Sequence, residues 1–190
     1  MSIKERKSAL RAEVRARMAS LSEEERKEAA ARVRKLLSQQ AAWQKAGSVL
    51  LYAPLAKELD VWPLVEDALQ AGKVVALPRF DAETKSYAAC QIRDLSREVE
   101  LGQYGIREPI RSCISVPLNR LDFALVPGVA FDLHGRRLGR GRGYYDILLA
   151  KVRGTTCGVA FDEQIVREVP VEPHDSDVNC ILTPTRWIEL

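Results

Sequence analysis

The spacing of apolar residues changes character along the chain. At the front it is helical: Ile3, Leu10, Val14 and Met18 share one stripe among charged positions, and Ala29, Val33, Leu36 and Leu37 form a second stripe. This predicts a helix over residues 3–18 and another behind Ser22-Glu23-Glu24-Glu25, a capping-box string. From Val49 onward the apolar residues come in short runs, each of strand length. The runs are Val49-Leu50-Leu51-Tyr52-Ala53 up to Pro54, Lys73 to Leu77 up to Pro78-Arg79-Phe80, Ser86 to Ile92, Leu121 to Val126 up to Pro127-Gly128, Thr155 to Ala160, and Cys180 to Thr183. Between the first two, Asp60 is placed to cap a helix through Val61, Leu64, Val65, Ala68 and Leu69, which Gly72 closes. Strand, helix, strand in this order predicts an α/β fold. The expectation is a single three-layer domain over residues 1–190, with a mostly parallel central sheet flanked by helices and a basic N-terminal helix. In such sheets ligands collect beyond the carboxyl ends of the strands.

Charge sharpens the picture at the front of the chain. The net charge is only +3, yet residues 1–45 hold twelve Lys/Arg against six Asp/Glu, so the remainder carries −3. Lys7 and Arg11, at i and i+4, share a helix face. That face is either solvated or able to grip a polyphosphate together, with Lys4 as a helper. Nothing at the N-terminus resembles a signal peptide, and no apolar run approaches membrane-spanning length. The four cysteines, Cys90, Cys113, Cys157 and Cys180, form no C-x-x-C and sit mostly in apolar surroundings, which suits buried thiols in a reducing compartment. A cytoplasmic protein is expected, without membrane or nucleic-acid partners and monomeric.

The chemistry concentrates after the strand at 121–126. There Gly135, Gly139, Gly141 and Gly143 alternate with Arg136, Arg137, Arg140 and Arg142, and the next acid is Asp146. Glycines let backbone N–H groups close in on a ligand while guanidiniums add fixed charge and forked donors. Such a loop is an anion cradle, and Tyr144 to Leu149 behind it reads as the first turns of a helix whose amides face the anion. Neither common nucleotide fingerprint is present: there is no G-x-x-x-x-G-K-[ST], and G-R-G-R-G is not G-x-G-x-x-G.

The string V-P-G-V-A-F-D-x-x-G-x-R-L-G-R-G-x-G-Y-Y-D, Val126 to Asp146, resembles the signature of the 5-formyltetrahydrofolate cyclo-ligase (methenyltetrahydrofolate synthetase) family. Further matches follow in order: the basic front helix, Glu58-Leu59-Asp60 after a strand, Pro78-Arg79-Phe80, Gly102-x-x-Gly105-Ile106-x-Glu108-Pro109 and Glu172-Pro173-His174-Asp175. The resemblance implies an ATP- and Mg²⁺-dependent cyclisation of a reduced folate. It implies ATP contacts from Lys7, Arg11 and the run Arg137-Leu138-Gly139-Arg140-Gly141-Arg142-Gly143-Tyr144-Tyr145. Arg140, Arg142 and Tyr145 are the catalytic candidates, Leu55, Glu58, Tyr104 and Tyr145 the substrate contacts, and Asp146 and Asp175 the metal ligands. The chain departs from the family at Asn179 and Pro184, where acids are common. Two other readings of the same residues are a non-catalytic nucleotide- or RNA-binding protein, whose binding would fall steeply with salt, and a sugar-phosphate isomerase, which needs no ATP.

Overall fold

The computed structural model describes residues 1–102 and 105–190. Three helices lead: α1 (Ile3–Met18), α2 (Glu23–Ser38) and a short α3 (Ala41–Lys45). Both long helices open with a full capping box, Ser2 with Glu5 and Ser22 with Glu25, so in each the first-turn amides and the cap backbone are satisfied locally. The central sheet is then threaded by β1 (Ser48–Leu50), β2 (Val74–Asp81), β3 (Ser86–Ile92), β6 (Phe123–Pro127), β9 (Thr155–Val159), β11 (Cys180–Leu182) and β12 (Trp187–Glu189). Helix α4 (Trp62–Gln70) joins β1 to β2. Among the described residues the strand order is β12-β11-β9-β6-β1-β2-β3. The five inner strands run parallel, and the edges β3 and β12 are antiparallel. The expected mostly parallel α/β sheet is what forms.

Both faces of this sheet are covered, which explains the unbroken apolar runs. Val49 and Leu51 face α2, α3 and α4 in one cluster with Val33, Leu37, Trp43, Leu64, Val65 and Phe123. Leu50 points the other way, into a cluster with Val126, Phe131, Leu148, Leu149 and Ile181. A small sheet, β10 (Ile165–Val166), β7 (Ala130–Asp132) and β8 (Arg137–Leu138), carries α1 across Val14, Ala130, Leu138, Val166 and Val169.

Strand β2 differs from the sequence expectation, and two further segments carry more structure than it described. Strand β2 does not stop at Pro78-Arg79-Phe80 but runs to Asp81, paired with β3 through Pro78↔Ala89 and Phe80↔Tyr87. Proline is tolerated there because β1 pairs with β2 only as far as Ala76, so beyond it β2 has one strand neighbour and the missing N–H costs little. The Gly102 to Pro109 segment is not a plain connection. It is flanked by a two-stranded ladder, β4 (Val99–Leu101) with β5 (Arg107–Pro109). The glycine loop is also more ordered than its composition suggests. Asp132, fully buried, accepts from His134 N at 2.9 Å, Arg136 N at 3.2 Å and Val169 N at 2.8 Å, and so folds 130–138 into the β7–β8 hairpin.

That hairpin is seated by one ring. Phe131, with no exposed surface, lies over two glycines. A Cβ at Gly128 would fall 2.5 Å from its Cζ, and one at Gly158 in β9 would fall 2.4 Å from its Cε1. Glycine at both positions lets the hairpin press against the sheet and holds the loop that follows over its carboxyl edge. Gly158→Ala is expected to destabilise the protein by about 1–3 kcal/mol, the usual cost of overpacking a filled site. Urea unfolding measures it, and an unchanged midpoint would show that Phe131 does not seat the hairpin.

Candidate active site

Beyond the carboxyl ends of β1, β2 and β6 lies a cleft of about 340 Å³. Its lining divides by chemistry. The cationic part comes from the glycine loop and α5 (Tyr144–Leu149), through Arg137, Gly139, Arg140, Arg142, Gly143 and Asp146. The apolar part is built by Tyr52, Leu55, Pro78, Tyr87, Ile106 and the two tyrosines of α5. Gly143, at φ +70°, takes the left-handed conformation that turns the chain directly into α5. With six residues α5 has only a modest dipole, so the cradle's charge comes chiefly from its arginines.

Arg137 is the fixed centre of the cradle. Its side chain is buried, Nη2 reaches Asp146 Oδ1 at 2.6 Å and Nη1 donates to Pro127 O at 3.3 Å. The guanidinium also lies 5.9 Å from the centre of the Tyr145 ring. Asp146 is held from a second side, since Ser176 donates its N–H to Oδ1 at 3.3 Å and its hydroxyl to the Asp146 carbonyl at 3.1 Å. Arg140, half exposed, makes a forked contact with Glu58 Oε1 at 2.6 and 3.2 Å, and Glu58 Oε2 accepts from Leu55 N at 2.9 Å. The loop after β1 and the glycine loop thus meet across the cleft.

The front helix closes the arrangement from outside. Lys7 is buried, with Nζ 2.6 Å from Asp175 Oδ2 and 2.8 Å from Glu172 Oε2, while Arg11 Nε donates to Gly139 O at 2.9 Å. Burial acts to lower the Lys7 pKa and to raise that of Asp175. The hydrogen bonds and opposite charges outweigh it in both, so the lysine sits above its ordinary value and the aspartate below. Lys7, Arg11 and Asp175 adjoin the cleft but do not line it, and the same holds for Gly141. Leu138 does not line the cleft either, and its side chain is buried in the cluster under α1. Tyr104 lies outside the described residues.

Four aromatic rings pack into one wall, whose cleft-facing members are Tyr87, Tyr144 and Tyr145. Phe80 meets Tyr87 and Tyr144 at 5.5 and 5.2 Å between ring centres, and Tyr87 meets Tyr144 and Tyr145 at 5.8 Å each. Burial pushes the Tyr145 hydroxyl pKa up, with Glu58 and Tyr87 adding to the effect, so the phenol stays protonated. Tyr52 and Tyr87 were not singled out from the sequence as site residues, and Glu108 was named only within the family match at 102–109, without a role of its own. Tyr87 sits on an antiparallel edge strand, and only its pairing with Phe80 brings it to the cleft; no local motif marks it. The two departures from the family pattern do not line the cleft. Asn179 Oδ1 accepts from Thr156 N and Oγ1 at 2.8 and 2.9 Å where β9 begins, at the opposite end of the strand from the cleft, and Pro184 follows β11.

Glu108, on β5, is nearly buried. Burial raises its pKa, the Phe80 N–H and the Arg79 charge oppose this, and Glu100 adds to it. A carboxyl raised in the native state stabilises the fold below the unfolded value near 4.5 and loses that contribution as pH rises through the native pKa. Glu108→Gln is therefore expected to melt higher than the parent at pH 7.5, with the gap closing by pH 4. A lower melting temperature for the variant at pH 7.5 would mean that the carboxylate is stabilised by its surroundings.

The geometry can be set beside known proteins. Residues 3–184 match the profile described as the 5-formyltetrahydrofolate cyclo-ligase family. A 5-formyltetrahydrofolate cyclo-ligase of Mus musculus is 28% identical over 188 residues, covering 93% of this chain and 92% of the relative. The cyclo-ligase of Escherichia coli K12 is 34% identical over 145 residues, covering 74% and 80%. The NMR structure of 5,10-methenyltetrahydrofolate synthetase from Aquifex aeolicus superposes with a TM-score of 0.87 at 35% identity, over 97% of this chain and 92% of that one. With the glycine-arginine cradle in place behind β6 and the match running almost end to end, the chain belongs to the 5-formyltetrahydrofolate cyclo-ligase family.

Proposed function

We propose that the protein cyclises 5-formyltetrahydrofolate to 5,10-methenyltetrahydrofolate with conversion of ATP to ADP and phosphate. The observation that carries this reading is the two-part cleft, in which a row of arginines and glycine amides faces an aromatic wall able to hold a planar ring. A formyl oxygen is a poor leaving group. In the proposed reaction it attacks the γ-phosphorus and displaces ADP, giving a phosphorylated formyl group. The N10 nitrogen then attacks the formyl carbon and gives up its proton to the departing phosphate, and the C–O bond breaks to release that phosphate and leave the methenyl bridge. No protein nucleophile takes part, so catalysis rests on positioning and on charge stabilisation at the transferring phosphoryl group.

Arg140 and Arg142 line the cleft and are assigned to that charge, with the Gly139 and Gly143 backbone beside them. Glu58 holds Arg140 in the free protein. Phosphate oxygens offer the guanidinium the same forked geometry, so ligand binding exchanges one anionic partner for another. Tyr145 presents its ring to the folate, and Lys7 and Arg11 steady the cradle from α1.

A divalent cation fits the same corner. Among the described residues, Asp146 Oδ2 and Asp175 Oδ1 accept no hydrogen bond, although the other oxygen of each carboxylate is engaged. Two carboxylate oxygens with phosphate and water as remaining ligands suit Mg²⁺, whose charge would offset that of the transferring phosphoryl group. The chain is assigned to the cytoplasm, as one folded unit acting as a monomer. Four free cysteines suit a reducing compartment, and no helix among the described residues is long and apolar enough to cross a membrane.

The test is the absorbance of methenyltetrahydrofolate on mixing the protein with 5-formyltetrahydrofolate. Signal is expected only with both ATP and Mg²⁺, and its absence from folded protein would refute the reading. Arg140→Ala should lower turnover by on the order of 10² with an unchanged melting temperature, the scale of losing one preorganised transition-state donor. Near-normal turnover in that variant would remove Arg140 from the mechanism.

A further inference from the structure

Among the described residues one carboxyl of the cleft has no ion-pair partner. Asp146 is paired with Arg137 and Glu58 with Arg140, whereas Glu108 feels Arg79 only at longer range. Its Oε2 accepts from Phe80 N at 3.3 Å, and its Oε1 is buried with no hydrogen-bond partner among the described residues. The nearby arginines are committed elsewhere. Arg79 donates to the carbonyls of Ile110 and Arg111 at 3.0 and 3.2 Å, and Arg107 lies over the Trp62 ring at 4.4 Å. The chain nevertheless makes room for this group. A Cβ at Gly102 would fall 2.5 Å from Glu108 Cδ and 2.7 Å from Oε2, so any larger residue there would displace the carboxyl from its present place.

A buried acceptor without a donor destabilises the free protein, and such a group lining a ligand cleft is most simply understood as completed by the ligand. The neighbourhood narrows the ligand's chemistry. The residue that donates to Glu108 is Phe80, whose ring belongs to the aromatic wall with Tyr87 and Tyr144. A planar heterocycle lying along that wall with two adjacent N–H donors on its edge would match the two oxygens of one carboxylate. The pterin head of a reduced folate carries such a pair, the ring N3–H and the 2-amino group, side by side. We propose that Glu108 is the acceptor for these two donors, and so fixes the orientation of the pterin ring in the cleft. This rests on the folate reading above.

Pairing with the amidine edge would satisfy Oε1 and use the second lone pair of Oε2. Such bonds are charge-assisted, and an isosteric amide replaces half of the acceptor with a donor facing the ligand's own amino group. Glu108→Gln keeps an oxygen for the Phe80 N–H, so the substitution tests recognition with little disturbance of the fold.

The experiment is titration calorimetry of 5-formyltetrahydrofolate, without ATP, into the parent and Glu108→Gln proteins. Binding of the 2-desamino analogue and of Mg²⁺-ATP is measured alongside. The variant is expected to bind 5-formyltetrahydrofolate about ten-fold or more weaker, to bind ATP as the parent does, and to keep its melting temperature or gain on it. The 2-desamino analogue should bind the parent weakly and discriminate little between the two proteins. Equal folate affinity in parent and variant would overturn the proposal. So would a parallel loss of folate and ATP binding with a lower melting temperature, which marks a structural role. A parent that binds folate without turning it over refutes the cyclo-ligase reading and leaves the pterin contact standing, while a parent that binds no folate refutes both.

Discussion

The site depends on one buried ion pair. Arg137 emerges from β8 inside the glycine loop, and Asp146 belongs to the first turn of α5; their contact at 2.6 Å fixes the two ends of the cradle to each other. The same guanidinium reaches the last carbonyl of β6 at Pro127, so sheet edge, loop and helix share one charged centre. Removing either partner of such a buried pair leaves the other charge uncompensated, at a cost of about 3–5 kcal/mol. The pair also determines which face of Asp146 is left open, since Arg137 and Ser176 both occupy Oδ1.

A loop this rich in arginine repels itself, and the fold answers with a carboxylate for each of three key cations. Arg137 meets Asp146, Arg140 meets Glu58, and Lys7 sits between Asp175 and Glu172. The cationic side chains are thereby held in place in the free protein, the preorganisation that the proposed phosphoryl transfer would require. The partners also set a threshold: an anion gains at Arg140 only what exceeds the contact with Glu58. A dianionic phosphate in a forked geometry can exceed it, and a monovalent anion has much less to offer.

Helix α1 shows how a basic segment can be structural and functional together. Its apolar stripe, Leu10, Val14 and Met18, rests on the small β10-β7-β8 sheet, and this docking delivers Lys7 and Arg11 to the rim of the cleft. The two cations lie one turn apart and bind different partners, one a pair of acids in the segment before β11 and the other the Gly139 carbonyl. The helix therefore ties the tail of the chain to the glycine loop.

The sequence by itself determined the two long front helices with the cap at Ser22, the largely parallel character of the sheet and the string that builds the cradle, whereas α4 starts from Val61 and not from a cap at Asp60. These are encoded by neighbours in the chain: the stripe of α1, the box at Ser22, the apolar runs ending at turns. It also marked Lys7, Arg11, Glu58, Arg140 and Asp146 as belonging together, through the family resemblance, whose separate matches carry them. What only the tertiary structure decided is which of those charges face each other and what completes the pocket. Tyr87 comes to the aromatic wall through its antiparallel pairing with Phe80, Phe131 seats the hairpin because glycines stand at both 128 and 158, and Glu108 has no ion-pair partner among the described residues because Arg79 and Arg107 turn to other partners. Periodicity and turn chemistry act over a few residues, whereas desolvation and charge pairing depend on groups far apart in sequence, so they are settled only once the sheet has brought those groups into contact.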